Sequence, residues 1–366
     1  MLVKDVMSAI EAFAPLAYQE SYDNCGLQVG DPMAAVTGML LTLDVTEDVL
    51  AEAIEKNCNL IVAHHPLIFS GLKKITGRNY VERIVATAIK NDLHIYAAHT
   101  NLDNVRQGVN AKIAEKLGLQ NTSILTPKGT TLYKLYTYVP EADLGTVRDA
   151  LFAAGAGSIG NYSECSFNTE GIGTFRGNEH TRPAIGEAGG DREYVAEVKL
   201  EVVVPVNLKH TVINALRTSH PYEEVAYELI ALENYNQEIG AGMVGFLPEA
   251  MEENIFLSFV QKQMKVDCIR HTEFRGKPVH KVAVCGGSGS FLLRDAIGAQ
   301  ADVFITGDFK YHQFFDAEGK IIIADIGHYE SEQFTVEIFK DLLTKKFPNF
   351  AVVLANTYTN PVKYFF

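Results

Sequence analysis

Short apolar runs alternate with stretches of helical periodicity along the first third of the chain. The apolar runs TGMLLTL (37–43) and NLIVA (59–63) flank EDVLAEAIEK, whose apolar residues recur at helical spacing. Two more helical patterns, YVERIVATAIKN and GVNAKIAEKLG, enclose the run LHIYAAH (93–99), and the second of them ends at Gly118. Strand, helix and strand at this spacing predict parallel βαβ units and therefore an α/β fold.

The pattern changes after Lys128 and returns to the first rhythm after Glu233. Between them, LYKLYTYV, YSECSF, YVAEVKLEVVV and EVAYELIAL are strand-like, while DLGTVRDALFAAG and HTVINALRTS are helical. The order βαββαβ is that of a ferredoxin-like module. We therefore predict an outer α/β domain, residues 1–125 and 234–366, interrupted by a ferredoxin-like insert at 126–233. Because a parallel sheet needs helices on both faces, the outer segments are expected to complete one central, mainly parallel sheet.

Composition and charge exclude several classes of protein. The 366 residues are 47% apolar, and 32 Lys and Arg are set against 45 Asp and Glu for a net charge of −13. Without blocks of basic residues, a nucleic-acid-binding surface is not expected. No apolar stretch approaches the roughly 18 residues of a membrane span, and the N-terminus lacks a secretory pattern. The five cysteines are far apart and form no C-x-x-C pair, which favours reduced thiols, a cytoplasmic location and metal ligands of nitrogen and oxygen.

Candidate metal ligands lie where predicted buried strands end. His64 and His65 directly follow NLIVA and precede Pro66, so the backbone turns here and both imidazoles can reach one crevice. This arrangement suits two metal ions better than one. The alternative is a buried structural pair, which would require both imidazoles to be hydrogen-bonded within the protein.

Two further strand ends add carboxylates and a third imidazole. Asp103 lies four residues beyond His99 and can bridge two cations, although an Asp in a loop is also a common turn former. His328 and Glu332 in GHYESE are four apart and share one face at the start of the last long helix. The helix dipole would also favour acidic residues there, and we accept that explanation for Glu330 only.

Together these strand ends supply three imidazoles and two carboxylates, a set typical of a dinuclear hydrolytic site. The predicted metal ligands are His64, His65, Asp103, His328 and Glu332. The expected cofactor is a pair of divalent ions, with zinc first and manganese, iron or nickel as alternatives. No serine or cysteine paired with a base is visible, so water is the expected nucleophile. His99 and His312 are the expected catalytic residues that move protons, and His99 is expected to hydrogen-bond a liganding carboxylate.

A glycine-rich turn follows the apolar run KVAVC. The backbone N–H groups of Gly286, Gly287 and Gly289 could bind a phosphate near the metal ligands, although a plain tight turn explains the sequence equally well. Lys310, in TGDFKYH, could neutralise the charge of an anionic substrate or contribute only surface charge.

Several of these motifs resemble those of one known family. HHPLIF, AHTNLD, SYDNCGLQVG, TGDFKYH, GHYESE and NTYTNPVKYF are similar to motifs of the Nif-three-like dinuclear metal centre family, often labelled "GTP cyclohydrolase 1 type 2 homologue". The resemblance spans both outer segments, and the insert is similar to the PII-like or CutA-like domain of longer bacterial members. It implies a two-metal centre on the five ligands named above and a ring-shaped homohexamer of the α/β part.

Two functions fit these features. The first is a metal-dependent hydrolase that acts on a nucleotide-like or otherwise phosphorylated small molecule, with the GTP cyclohydrolase label as its weakest part. The second is a non-enzymatic, metal-binding regulatory or scaffold protein that forms a ring oligomer, with the insert as an effector or lid domain. Coordination positions left open for water favour the first function, whereas the sequence assigns no substrate pocket.

Overall fold

A computed structural model describes residues 1–365 and divides the chain into two compact units. The outer unit comprises Met1–Pro127 and the chain from Glu238 onward, and the insert unit is Lys128–Gln237. Residues 1–365 form eleven α-helices and three sheets, so the predicted α/β class is confirmed. None of the helices in this range has the length and apolar character needed to cross a membrane.

The first outer segment alternates short strands with amphipathic helices. Its elements are α1 (Val3–Phe13), β1 (Gly26–Val29), β2 (Met39–Thr42), α2 (Glu47–Glu55), β3 (Leu60–Ala63), α3 (Tyr80–Lys90), β4 (His94–Ala97), α4 (Thr100–Asp103), α5 (Val109–Lys116) and β5 (Gln120–Lys128). Strands β2, β3 and β4 are buried along their whole length, as continuous apolar runs predict for parallel strands covered on both faces. Helix α3 is capped at its N-terminus by Asn79, whose side chain accepts a hydrogen bond from the backbone N–H of Glu82.

The insert unit has the element order strand, helix, strand, strand, helix, strand. Its elements are β6 (Leu132–Pro140), α6 (Leu144–Ala153), β7 (Ser166–Phe175), β8 (Glu193–Pro205), α7 (Lys209–Ser219) and β9 (Tyr227–Leu232). The strands form one antiparallel sheet in the order β7–β8–β6–β9. Burial alternates along β8, and its buried face, with Leu200 and Val202, shares a core with Leu151 of α6 and Leu216 of α7.

The last outer segment returns to alternating strands and helices. Its elements are β10 (Asn236–Met251), α8 (Glu253–Gln263), β11 (Arg270–His271), β12 (Val279–Ser288), α9 (Leu293–Gly298), β13 (Val303–Gly307), β14 (Ile322–Asp325), α10 (His328–Glu332), α11 (Thr335–Lys346) and β15 (Val352–Leu354). A 3₁₀ helix, Tyr311–Ala317, lies between β13 and β14.

The outer unit contains two sheets, which differs from the single central sheet expected from the sequence. One sheet has the order β1–β4–β3–β2–β15, in which β4, β3, β2 and β15 are parallel and β1 is antiparallel. The other has the order β11–β14–β13–β12–β10–β5, with β12, β13 and β14 parallel. The two chain segments still exchange strands, since β15 joins the first sheet and β5 the second. The expectation of one sheet was wrong because apolar periodicity identifies strands but not their partners.

One apolar core joins the two sheets of the outer unit. Leu41 and Val62 of the first sheet belong to the same buried cluster as Val282 and Ile305 of the second. Helices α2 and α3 cover the opposite face of the first sheet, and α9 covers that of the second. Each parallel set is thus buried on both faces, which explains why its strands are apolar throughout.

We predict that the insert can be removed as a unit. Strands β5 and β10, which flank it in sequence, are neighbours in the second sheet, and a Cβ on Gly129 would lie only 3.7 Å from the carbonyl oxygen of Glu233. Replacing residues 129–235 by a short Gly/Ser linker should therefore leave a monodisperse protein that unfolds cooperatively and binds as much metal per chain as the full chain. Circular dichroism, thermal unfolding and metal analysis measure these properties. An aggregated variant without metal would show that the outer unit needs the insert to fold.

Candidate metal centre

His64 lies at the centre of the candidate site. It directly follows β3, it is fully buried, and its Nδ1 is 2.9 Å from the carbonyl oxygen of Ala98. A carbonyl oxygen can only accept, so Nδ1 carries the proton of the neutral ring. Burial lowers the pKa of His64 and keeps the ring neutral. Its Nε2 therefore presents a lone pair to the interior.

Two carboxylate oxygens face this lone pair. Nε2 of His64 is 3.7 Å from Oδ1 of Asp103 and 3.7 Å from Oε1 of Glu332, distances too long for hydrogen bonds. Within residues 1–365, neither His64 Nε2 nor Asp103 Oδ1 has a hydrogen-bond partner. Burial and the charge of Glu332 raise the pKa of Asp103 well above its ordinary value. The raised pKa means that the anionic form of Asp103 has no stabilising partner here, and a metal cation would supply one while also accepting the lone pair of His64 Nε2.

Two more imidazoles meet the other oxygen of Glu332. Its Oε2 is 3.0 Å from Nε2 of His65 and 3.1 Å from Nε2 of His328, and these two nitrogens are 3.3 Å apart. His328 and Glu332 both lie on α10, so the predicted helical spacing does bring them to one point. Burial alone would raise the pKa of Glu332, but its hydrogen bonds with His328 and His65 lower it.

Carboxylates bind the outward nitrogens of these two rings. Nδ1 of His65 is 2.7 Å from Oδ1 of Asp44, and Nδ1 of His328 is 2.7 Å from Oδ2 of Asp308. Burial would lower the pKa of both rings, but the hydrogen bonds with carboxylates raise the pKa of His65 to about 10 and that of His328 to about 9. Such contacts orient imidazole ligands and make them more basic. Asp44 was missed from the sequence, although it follows the apolar run TGMLLTL just as the predicted ligands follow theirs.

His99 joins the cluster through a partner other than the expected one. Its Nδ1 is 2.9 Å from Oδ1 of Asp23, which is not one of the five predicted ligands, and its ring centroid is 5.3 Å from that of His64. The backbone N–H of Thr100 donates to the same carboxylate. Burial would raise the pKa of Asp23, but hydrogen bonds with His99 and Thr100 lower it. His99 is therefore held in place with its Nδ1 occupied, as are the other three imidazoles.

Within residues 1–365, three overlapping groups of side chains could hold a metal ion, with ligand atoms within 4.8 Å of one another in each. The groups are His64, His65 and His99; His65, His328 and Glu332; and His64, Asp103 and Glu332. They include all five residues predicted as ligands, together with His99. The chemistry of the set, imidazole nitrogen and carboxylate oxygen, suits a divalent transition metal.

His312 and Lys310 lie outside this cluster. His312 is exposed on the 3₁₀ helix, where its ring contacts those of Tyr311 and Phe315. Neither residue belongs to the three groups or lines the two cavities beside them in the described part of the chain. The structure thus does not bring His312 to the place where the sequence interpretation required it to move protons. The motif TGDFKYH, which contains His312, does contribute to the cluster, because its Asp308 contacts His328.

The glycine-rich turn after β12 serves the protein itself. The N–H groups of Gly286, Gly287 and Gly289 donate to side-chain oxygens of Asn110, Ser331 and Thr306, at 3.0, 2.9 and 3.0 Å. These donors are therefore used within the protein, and the plain tight turn is the better interpretation. A Cβ on Gly287 would lie 2.3 Å from Oε1 of Glu332, and its φ is +61°, so only glycine lets the turn approach this carboxylate.

Among the described residues, His65 and His328 line two cavities that reach the cluster. The first, of about 580 Å³, also contains Asp103 and Glu332 and is rimmed by exposed aromatic side chains. The second, of about 670 Å³, contains Arg270 and Tyr329. Volumes of this order are those of small-molecule binding sites.

The fold and the cluster define an α/β protein with a candidate metal centre at the ends of its strands. A family model described as Duf34/NIF3 (NGG1p interacting factor 3) matches residues 1–361, and the chain belongs to this family. It is 40% identical over 368 residues to the "GTP cyclohydrolase 1 type 2 homolog" of Bacillus subtilis, covering 98% of this chain and 97% of that protein. A protein of the same name from Halalkalibacterium halodurans is 41% identical over 362 residues, with 97% of each chain covered.

Solved structures show the same relationship. The Bacillus cereus protein related to NIF3 superposes with a TM-score of 0.85 at 38% identity, and the match covers 100% of this chain and 99% of that one. Staphylococcus aureus protein SA1388 superposes with a TM-score of 0.78 at 30% identity and the same coverage. The family resemblance inferred from the motifs is thereby confirmed.

We predict that the carboxylates behind the imidazoles contribute to metal affinity. Asp44→Asn and Asp308→Asn should each weaken zinc binding by about ten- to a hundredfold, because the amide orients the ring poorly and no longer increases its basicity. Competition with a chromogenic chelator measures the affinity. Glu47→Gln is the matched control, because Glu47 is an exposed carboxylate that pairs with Arg83 and belongs to none of the three groups. Unchanged affinity in both Asp variants would contradict this prediction.

Proposed function

We propose that this chain is a dinuclear metal-dependent hydrolase that acts on a nucleotide-like or otherwise phosphorylated small molecule. The observation that carries the proposal is that His64 Nε2 and Asp103 Oδ1, buried beside Oε1 of Glu332, have no hydrogen-bond partner within residues 1–365. The names of the relatives, GTP cyclohydrolase 1 type 2 homolog, and the small-molecule cavities beside the cluster support the choice of substrate class.

The geometry suggests how the residues divide between two cations. His64, Asp103 and Oε1 of Glu332 form one group, and His65, His328 and Oε2 of Glu332 form the other. Glu332 would then contribute one carboxylate oxygen to each group. Zinc is our first choice of metal, with manganese, iron and nickel as alternatives. A bound pair of such ions supplies Lewis acidity, which activates water and stabilises charge on a substrate oxygen.

The protein's own contribution to the reaction is positioning and proton transfer. Ala98, Asp44 and Asp308 hold the three liganding imidazoles in fixed orientations. His99, held by Asp23, lines the first cavity and is the group we propose to accept and return a proton.

We further propose that the insert is a ferredoxin-like, PII/CutA-like domain and that the outer unit assembles into a ring-shaped homohexamer. The order βαββαβ and the sheet order β7–β8–β6–β9 support the first statement. A cavity of about 650 Å³ within the insert supports a regulatory role for it, and hence the second candidate function, a non-enzymatic metal-binding regulatory or scaffold protein. The variant without residues 129–235 should keep the mass of a hexamer in light scattering, since assembly is assigned to the outer unit.

Metal analysis tests the first part of the proposal. The full chain should bind two divalent ions, and His64→Ala and Glu332→Ala should each bind fewer, because each variant removes a ligand that the cluster cannot replace. His312→Ala is the matched control, since it removes an exposed imidazole outside the cluster. Unchanged stoichiometry in both cluster variants would refute the ligand assignment.

A panel of nucleotides and phosphoesters tests the second part. Turnover should disappear on chelation and return with added metal, and oxygen-18 from solvent should enter the product. His99→Ala should lower kcat by roughly a hundredfold or more without loss of metal, the usual contribution of a general acid–base group. Turnover that survives complete metal removal would exclude the hydrolase proposal, and metal binding without any turnover would favour the regulatory or scaffold function.

A further inference from the structure

Arg270, which lines the second cavity, has unused hydrogen-bonding capacity. It lies on β11, and its Nη2 donates to the carbonyl oxygen of Phe309 at 3.0 Å and to Oδ2 of Asp325. A guanidinium carries five N–H donors. Within residues 1–365, Nη1 and Nε make no hydrogen bond, and 56% of the side chain is exposed. Arg270 therefore presents unpaired donors beside the cavity that also reaches His65 and His328.

The guanidinium is held in a fixed orientation. Asp325 is only 3% exposed and also accepts from the backbone N–H groups of Phe309 and Gly327. The ring of Phe314 lies 5.5 Å from the guanidinium carbon, which limits its motion further. A planar donor group that is already oriented loses little entropy when it binds an oxyanion, and its geometry matches phosphate or carboxylate.

The acidic groups of the same cavity are already used within the protein. Asp44 and Asp308 are bound to His65 and His328, and Glu330 accepts a hydrogen bond from Asn360. The cavity thus combines carboxylates that have partners with a cation that has free donors. The other candidates that the sequence offered for phosphate binding do not place a free donor in this cavity. The amides of the glycine-rich turn are occupied, and Lys310 lies outside both cavities.

We propose that Arg270 binds the phosphoryl group of the substrate in the second cavity. This inference rests on the proposed function and specifies which group of the protein recognises the substrate's anionic part. The volume of about 670 Å³ leaves room for a molecule much larger than phosphate itself, so the phosphoryl group is one end of the ligand. The remainder of the ligand can then extend to His65 and His328.

Calorimetric titration of the full chain with inorganic phosphate tests the inference, on zinc-loaded and on metal-stripped protein. Arg270→Gln should weaken phosphate binding by about tenfold or more in both forms, because it removes a charge-assisted pair of hydrogen bonds. Lys310→Gln, which removes the same charge outside the cavity, should bind phosphate as the unaltered chain does. Acetate should bind more weakly than phosphate; equal or tighter binding of acetate would overturn the assignment of a phosphoryl group in favour of a carboxylate.

Arg270→Lys is a second variant in case Arg270→Gln does not fold, since a lysine keeps the ion pair with Asp325 but not the planar donor geometry. Phosphate affinity that is unchanged in a folded Arg270→Gln or in Arg270→Lys would overturn the inference. Metal content is measured on the same samples. A loss of phosphate binding with full metal content supports the role of Arg270, whereas a chain that binds no metal refutes the proposed metal centre without affecting the phosphate measurement on stripped protein.

Discussion

The candidate metal centre is built around one buried lone pair, on Nε2 of His64, for which residues 1–365 supply no hydrogen-bond donor. The Ala98 carbonyl oxygen holds the proton of His64 on Nδ1, so Nε2 directs its lone pair at Asp103 and Glu332. A buried polar atom without a partner costs about 1–3 kcal/mol, and more when charged groups are involved. This arrangement therefore lowers stability unless a cation binds the two atoms that lack a partner, and this links the local geometry to the proposed metal-dependent function.

The two-sheet architecture is what makes this contact possible. His65 and Glu332 are separated by 267 residues, and they come from segments on either side of the insert. The shared core of the two sheets brings the segments after β3 and β4 next to α10. Gly287 gives the carboxylate of Glu332 the space to enter. The outward nitrogens of the four imidazoles are hydrogen-bonded to Ala98, Asp44, Asp23 and Asp308. Their inward nitrogens are therefore the ones that face the candidate metal centre.

Local patterns in the sequence predicted much of this site. Residues that directly follow buried strands do form the cluster, and the four-residue spacing of His328 and Glu332 does place both on one helix face. Partners that lie far away in sequence were not predictable in this way. The contact of His99 with Asp23 spans 76 residues, and the division of the strands between two sheets depends on pairings that periodicity does not encode. His312 is the converse case, since a histidine close to the right motif lies on an exposed 3₁₀ helix outside the cluster.

Anomalous diffraction from crystals of the full chain grown with zinc, recorded on both sides of the zinc absorption edge, tests the central claim most directly. We expect two peaks about 3–4 Å apart, the separation of two-metal sites. One should lie within coordination distance of His64 Nε2, Asp103 and Oε1 of Glu332, and the other within that distance of His65, His328 and Oε2 of Glu332. Zinc bound only elsewhere, with no peak beside His64 Nε2, would contradict the account.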